Sequence, residues 1–403
     1  MKRRAIMVAV TFLVACATQE RPDEKKDYSR ELPPGARALE LVTDPAEYPD
    51  FRVMFADADS LVRAIDESLG WFEKPSSHRH YPVQEFTHER VRQSLQALRE
   101  LATTARDARE FSGRIVLDFD IYRSVGWDGS GTVLFTAYYQ PIFEGSRTPT
   151  SRFRFPIYRL PDDLVKDEDG TPLGRRAGGG LEPYPTRAEI ETTGLLANRG
   201  LELVYLESAL DAFIIHVQGS ARITLPDDST MYVGYAGKTD RPYRSVGLEL
   251  VADGKFARDE LSLARIRRYF AEHPEDLTEY LQRNESYVFF VETPPGGPWG
   301  SLGVPVTPYR TIATDKSLFP RGAPGAVVTR LPTPRVDGSL VPEPFVALTL
   351  DQDTGGAIRS AGRCDIFVGT GPGAERIAGH TQYEGTLYYL LLKDRSESES
   401  AAP

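Results

Sequence analysis

The chain has 403 residues and a mass of 44.9 kDa, too long for one small core and in keeping with two domains, or three. Lys and Arg total 48 and Asp and Glu 58, a net charge of −10 that excludes the clustered basic surface needed to grip nucleic-acid phosphates. Two cysteines, Cys16 and Cys364, are too few for a disulfide framework or a Cys-based zinc site, while 34 Gly and 30 Pro point to a turn-rich, mainly β chain.

The N-terminus reads as an address. Lys2-Arg3-Arg4 precedes an apolar run over 5–15, too short to span a bilayer. The run ends at Leu13-Val14-Ala15-Cys16, which resembles a bacterial lipobox. Residues 1–15 are then a lipoprotein signal peptide and Cys16 the lipidated residue, anchored by several acyl chains. A plain signal peptide cut around Ala15-Cys16-Ala17 is the alternative. Ala17 rather than Asp follows the cysteine, so the usual sorting rule directs the protein to an outer membrane. Residues 16–36, polar and carrying Pro33-Pro34-Gly35, are expected to form a flexible tether, and 394–403, rich in Ser and Glu, a disordered tail.

Two amphipathic helices follow. Leu61, Ile65 and Leu69 mark one over 57–71, and Val91, Leu95, Leu98 and Leu101 mark another over 87–105. Residues 115–120 and 133–139, rich in branched and aromatic side chains, read as strands. Short strands and turns are expected to about 230, interrupted by a helix opened by the capping box Thr186-Arg187-Ala188-Glu189 and by a Gly-rich loop over 175–180. Residues 259–282 read as two helices divided at Pro274. Strands return over 287–291, 326–328, 345–350 and 387–392.

Several chemistries fit poorly. The six histidines are scattered, His78-Arg79-His80 lacks an acidic or Cys partner at metal spacing, and no H-E-x-x-H or G-x-S-x-G occurs. Gly369-Thr370-Gly371-Pro372-Gly373 reads as a turn with no helix after it. Asp353-Thr354-Gly355 matches the aspartic-protease triplet, but such an enzyme needs a second copy and the chain has none. No metal and no cofactor are expected. What remains is a set of aspartates, Asp315, Asp353 and Asp365, recurring among strands and turns, and polar groups set among aromatics. Nineteen tyrosines in an exported chain fit carbohydrate handling, where sugar faces pack on rings.

The motifs T-A-Y-Y-Q-P (136–141), F-P-I-Y-R-L-P (155–161), L-E-P-Y-P-T-R (181–187), V-Q-G-S (217–220), Y-A-G-K (235–238) and Y-R-S-V-G (243–247) carry a resemblance. It continues through N-E-S-Y-V-F-F (284–290), A-T-D-K-S-L-F-P (313–320), D-T-G-G-A-I-R (353–359) and D-I-F-V-G-T-G (365–371). Together they resemble the MltA family of membrane-bound lytic murein transglycosylases, whose C-terminal 3D domain is named for three aspartates. Ala137, where the family often has Gly, and Cys364 are departures. The resemblance implies a double-psi β-barrel split in sequence, with a second small β-barrel domain inserted and a few peripheral helices. Its parts would be 37–140 and 287–393, with the insert at 141–286. It implies Asp365 as the catalytic acid, Asp353 and Asp315 as supporting carboxylates, and Thr136, Tyr138, Tyr139, Gln218, Gly219 and Ser220 as glycan-binding residues. The partner would be a peptidoglycan glycan strand, cut between MurNAc and GlcNAc with a 1,6-anhydro end. Cell-wall synthesis or division proteins are candidate partners. A non-catalytic peptidoglycan-binding lipoprotein on the same fold is the alternative.

Overall fold

The computed structural model describes residues 26–168 and 170–394. The expected signal peptide, Cys16 and nearly all of the expected tail lie outside the described residues. Residues 26–32, inside the segment expected as a flexible tether, reach the body of the protein through Lys26, Tyr28, Arg30 and Leu32. Lys26 and the Tyr28 hydroxyl both reach Glu384 Oε1 at 2.8 Å.

Strand β1 (Leu39–Leu41) precedes helices α1 (Ala58–Phe72) and α2 (His88–Thr104). Asp57 and Thr87 cap them by accepting from Ser60 N and Arg90 N. Their stripes face inward: Leu61, Ile65, Val91, Leu95 and Leu98 are all essentially inaccessible. Of the strand expected at 115–120, residues 115–118 are instead the end of helix α3 (Ala108–Asp118), and only 119–120 are extended. Asp107 accepts from Arg109 N and Glu110 N, and Phe111 and Ile115, four apart, are both fully buried. Packing on one helical face overrides the β preference of Ile115 and Val116. Strand β2 (Phe119–Ser124) and strand β3 (Val133–Gln140) follow.

A second sheet then opens with β4 (Ile142–Ser146) and β5 (Phe155–Tyr158). Three short strands, β6 (Leu164–Lys166), β7 (Pro172–Ala177) and β8 (Gly180–Glu182), form a separate small sheet. The loop expected at 175–180 is thus a hairpin, turning at Gly178 and Gly179, whose φ values of 56° and 86° suit glycine. Helix α4 (Arg187–Thr193) has the expected capping box. After β9 (Glu202–Leu206), Ser208 caps α5 (Ala209–Gln218), a helix in a region expected to be strands and turns. Ala212 to His216 are all buried, so the helix shows no polar stripe to announce its period. Strands β10 (Ala221–Thr224) and β11 (Thr230–Lys238) and helix α6 (Val246–Ala252) come next. Pro274 separates α7 (Leu263–Glu272) from α8 (Leu277–Arg283).

Strand β12 (Val288–Thr293) pairs antiparallel with β11, from Lys238↔Val288 to Tyr232↔Thr293. The segment 287–291 therefore belongs to the inserted sheet, not to the returning barrel, and the crossing back lies after Thr293 rather than at Ser286. The inserted sheet runs β12-β11-β10-β4-β9-β5, and a bridge from Arg159 to Phe290 brings its two edges together around Ile157, Val204, Ile223 and Val233.

The chain then returns through β13 (Thr311–Ala313), β14 (Pro324–Pro334), β15 (Leu340–Asp353), β16 (Arg363–Thr370), α9 (Pro372–Ala378) and β17 (Gln382–Leu392). Helix α9 corrects the expectation that no helix follows the 369–373 glycines: Gly371, at φ 83°, turns the chain and Pro372 opens the helix. The strands close as β17-β14-β15-β13-β16-β3, with β17 pairing back onto β3. β3 runs parallel to β16 and β13 parallel to β15, while the other pairs are antiparallel. This is a six-stranded double-psi β-barrel around Phe135, Ile312, Val327, Leu348, Ile366 and Leu387. Its first strand, β3, is cut off in sequence from the rest by the inserted barrel.

Candidate active site

Strand register builds the site. Ala313 on β13 is the Cα partner of Asp353 on β15 and of Asp365 on β16, and Asp365 is in turn the partner of Thr136 on β3. Asp353, Ala313, Asp365 and Thr136 thus form one row across four neighbouring strands. Neighbouring strands lie ~4.8 Å apart, so the two aspartates sit about 10 Å apart along the row. The small side chain of Ala313 between them leaves room. A register shift at Ile312/Ala313 aligns Asp353 with the row.

The two carboxylates differ in surroundings. Asp353 is well supplied with donors: Tyr138 OH reaches Oδ2 at 2.8 Å, and the backbone N–H groups of Ser301 and Thr354 reach Oδ1 at 2.8 Å each. Burial raises its pKa and these donors oppose the rise. Asp365 is poorly supplied. Its Oδ1 is buried and has no hydrogen-bond partner among the described residues. Burial pushes its pKa from 3.8 up to about 6, opposed by Thr136 and the Arg363 guanidinium and assisted by the Asp353 charge. A carboxyl group held in this range can give up and take back a proton near neutral pH.

The inserted barrel faces this row. Tyr243, which burial makes harder to ionise, lies within electrostatic range of both Arg363 and Asp365. Lys238 and the 52 % exposed Tyr235, both on β11, interact similarly with Arg359 of the split barrel. Arg363 Nη2 donates to Thr136 Oγ1 at 3.3 Å.

The other expected residues are placed differently. Asp315 is 6 % exposed and off the row. It accepts from Ser317 N and Oγ and from Ser360 N, and so holds the loop between Asp353 and Asp365. Tyr138 points toward the row and packs on Phe367, but its neighbour Tyr139 points the other way and is 1 % exposed. The Tyr139 hydroxyl donates to Glu375 Oε2 at 2.9 Å, and Arg267 bridges Glu375 to Asp211. Gln218 accepts from Tyr139 N at 3.1 Å, Gly219 ends α5 at φ 74°, and Ser220 is buried. Tyr139, Gln218, Arg267 and Glu375 thus join the barrels.

Sequence reasoning missed Asp351 and Lys316. They form a buried ion pair under the row, completed by Thr314 and Tyr389 hydroxyls, each 2.7 Å from Asp351 Oδ2. An Asp two residues before Asp353 and a Lys after Asp315 were the available signal. Cys364 is fully buried, and burial drives its thiol pKa well up. Among the described residues no group of three or more His, Cys, Asp and Glu side chains could hold a metal ion.

Two β-barrels, one split by the other and carrying a buried carboxyl row at their junction, define a recognisable class. Residues 134–291 match the family model of the MltA specific insert domain, and residues 310–391 match the 3D domain. The membrane-bound lytic murein transglycosylase A of Vibrio cholerae is 35% identical over 271 residues, 67% of this chain and 68% of that protein. The protein of the same name from Escherichia coli K12 is 31% identical over 317 residues, 78% of each chain. The crystal structure of the membrane-bound lytic murein transglycosylase from Agrobacterium tumefaciens superposes with a TM-score of 0.75 at 29% identity, covering 90% of this chain and 99% of that one. The chain belongs to the MltA family of membrane-bound lytic murein transglycosylases.

Proposed function

We propose that this family member cleaves the MurNAc-β-1,4-GlcNAc bond of peptidoglycan with Asp365 as its single acid and base. The observation that carries the reading is the buried, unpartnered Oδ1 of Asp365, with a pKa of about 6. The neutral carboxyl donates its proton to the glycosidic oxygen, the bond to C1 of MurNAc breaks, and an oxocarbenium-like centre forms. Thr136 and Arg363 favour the resulting carboxylate. That carboxylate takes the proton of the MurNAc C6 hydroxyl as its oxygen bonds to C1, closing a 1,6-anhydro ring with no water consumed. Ordinary glycosidases need a second carboxylate to form a bond or activate water, whereas here an internal hydroxyl supplies the nucleophile. Thr136 and Tyr138 line the site for the glycan, and Asp353 tunes Asp365 through its charge. Cys16 carries the lipid that holds the protein at the periplasmic face of an outer membrane.

The test is mass analysis of muropeptides released from purified peptidoglycan by the protein and by its Asp365→Asn variant. The expected products end in MurNAc lighter by one water and appear only with the unsubstituted protein. Hydrated reducing ends would overturn the mechanism. A Cys16→Ser variant found free of membranes supports the anchor.

A further inference from the structure

We propose that residues 26–30 form a latch on the loop that delivers Asp365 to the barrel, with Tyr28 as a positioning residue; this rests on the role given to Asp365 above. The loop spans 354–362, between the row's two aspartates. It is pinned from the barrel side by Asp315 to Ser360 N at 2.9 Å, Thr354 Oγ1 to Thr314 O at 2.9 Å and Ser124 Oγ to Ala361 O at 2.9 Å. From the other side it is pinned by the N-terminal segment.

Ser360 Oγ donates to the backbone oxygen of Tyr28 at 3.0 Å and accepts from Gly362 N at 3.2 Å. Ser360 sits at φ 70°, a strained conformation for a residue with a side chain, held by contacts on both sides. Gly362 is enclosed: a Cβ there would lie 2.6 Å from Tyr28 O and 2.6 Å from Trp127 Cβ. The latch itself is fastened by Trp127, beside Gly362, and by Glu384. The Tyr28 ring meets Trp127 edge-on at 5.7 Å, the Arg30 guanidinium lies 5.3 Å from the centre of the same indole, and Tyr28 OH and Lys26 share Glu384.

Displacement passes along a short path. Gly362 O accepts from Leu134 N at 2.9 Å, which sets the start of β16 against β3. Asp365 is three residues on, in register with Thr136. When the latch leaves, Ser360 loses its acceptor, Gly362 loses its cover, and the first residues of β16 gain freedom and water. Asp365 then loses burial, the main cause of its raised pKa.

The experiment compares the full-length protein with its Tyr28→Ala and Glu384→Gln variants in three readouts. In Tyr28→Ala, kcat on peptidoglycan falls on the order of 10- to 100-fold, as misplaced catalytic groups do. KM changes little, and the alkaline limb of the pH profile moves to lower pH. Hydrogen exchange over 354–364 quickens without any substrate present. Glu384→Gln moves each readout the same way by less. A fall in melting temperature with unchanged kcat, pH limb and loop exchange would overturn the latch. Absence of glycan release by the unsubstituted protein would instead defeat the proposed function, and loop exchange would still decide the latch.

Discussion

Tyr138 donates its hydroxyl to Asp353 Oδ2 at 2.8 Å across a sequence separation of 215 residues. The bond ties the last strand before the insert to the longest strand after it. It sits beside the in-register pair of Thr136 and Asp365 on the same strand β3. One strand thus fixes both carboxylates of the row, and the site exists only when the two halves of the barrel meet.

On the proposed mechanism, the pH dependence of glycan cleavage follows from the need for a protonated Asp365. Its pKa is raised from 3.8 to about 6, so activity is expected to fall as pH rises through about 6. Asp353→Asn removes a charge that raises this value, and the alkaline limb moves to lower pH. A pH series of kcat/KM for both proteins checks it; an unmoved limb in the variant rejects the coupling.

Asp365 also weakens the fold in its ionised form. Its folded-state pKa lies above its unfolded one, so the folded state binds the proton more tightly and stability declines as pH rises between about 4 and 6. Asp365→Asn is expected to gain up to ~3 kcal/mol at pH 8 and little at pH 3. Denaturant titrations at the two pH values measure the difference.

The Lys316–Asp351 pair carries 6% and 0% side-chain exposure. Lys316→Met leaves a buried carboxylate facing only hydroxyls and is expected to cost about 3–5 kcal/mol. Substituting Asp351→Leu as well restores much of that loss, because no lone charge remains. Equal stability of the single and double variants would show that the pair acts otherwise.

Arg267 joins α7 of the insert to Glu375 on α9 and to Asp211 on α5. Arg267→Ala is expected to cost ~1–2 kcal/mol, because its partners are only partly exposed. Hydrogen exchange quickens in α7 and α9 and stays unchanged in β14 and β15. Uniform change across both barrels would speak for global destabilisation instead.

Local signals were legible where one residue type decides. The helix starts at 57 and 87, the Thr186–Glu189 box and the break at Pro274 follow from their own neighbours. Residues 115–118 and 209–218 were not legible, because the branched apolar side chains of a buried helix look like those of a strand. The partner of β12 was hidden because pairing with β11 is a long-range choice. The three aspartates could be picked out, but not their different duties. Those depend on the register shift at Ala313, which aligns Asp353, and on Ser360, which takes up Asp315. Tyr138 and Tyr139 were treated alike, although side chains alternate along a strand and adjacent residues face opposite sides. That period was the signal that separates a site residue from a joint between barrels.

The docked segment at 26–30 also sets a leash. If Cys16 is the lipidated residue, as proposed above, ten residue steps separate it from Lys26. A fully extended chain covers at most ~3.6 Å per residue, so Lys26, paired with Glu384, would then stay within about 36 Å of the bilayer surface. On that proposal the cleft would reach only a thin shell of cell wall next to its membrane. Residues inserted between Cys16 and Lys26 would deepen that shell without touching the chemistry.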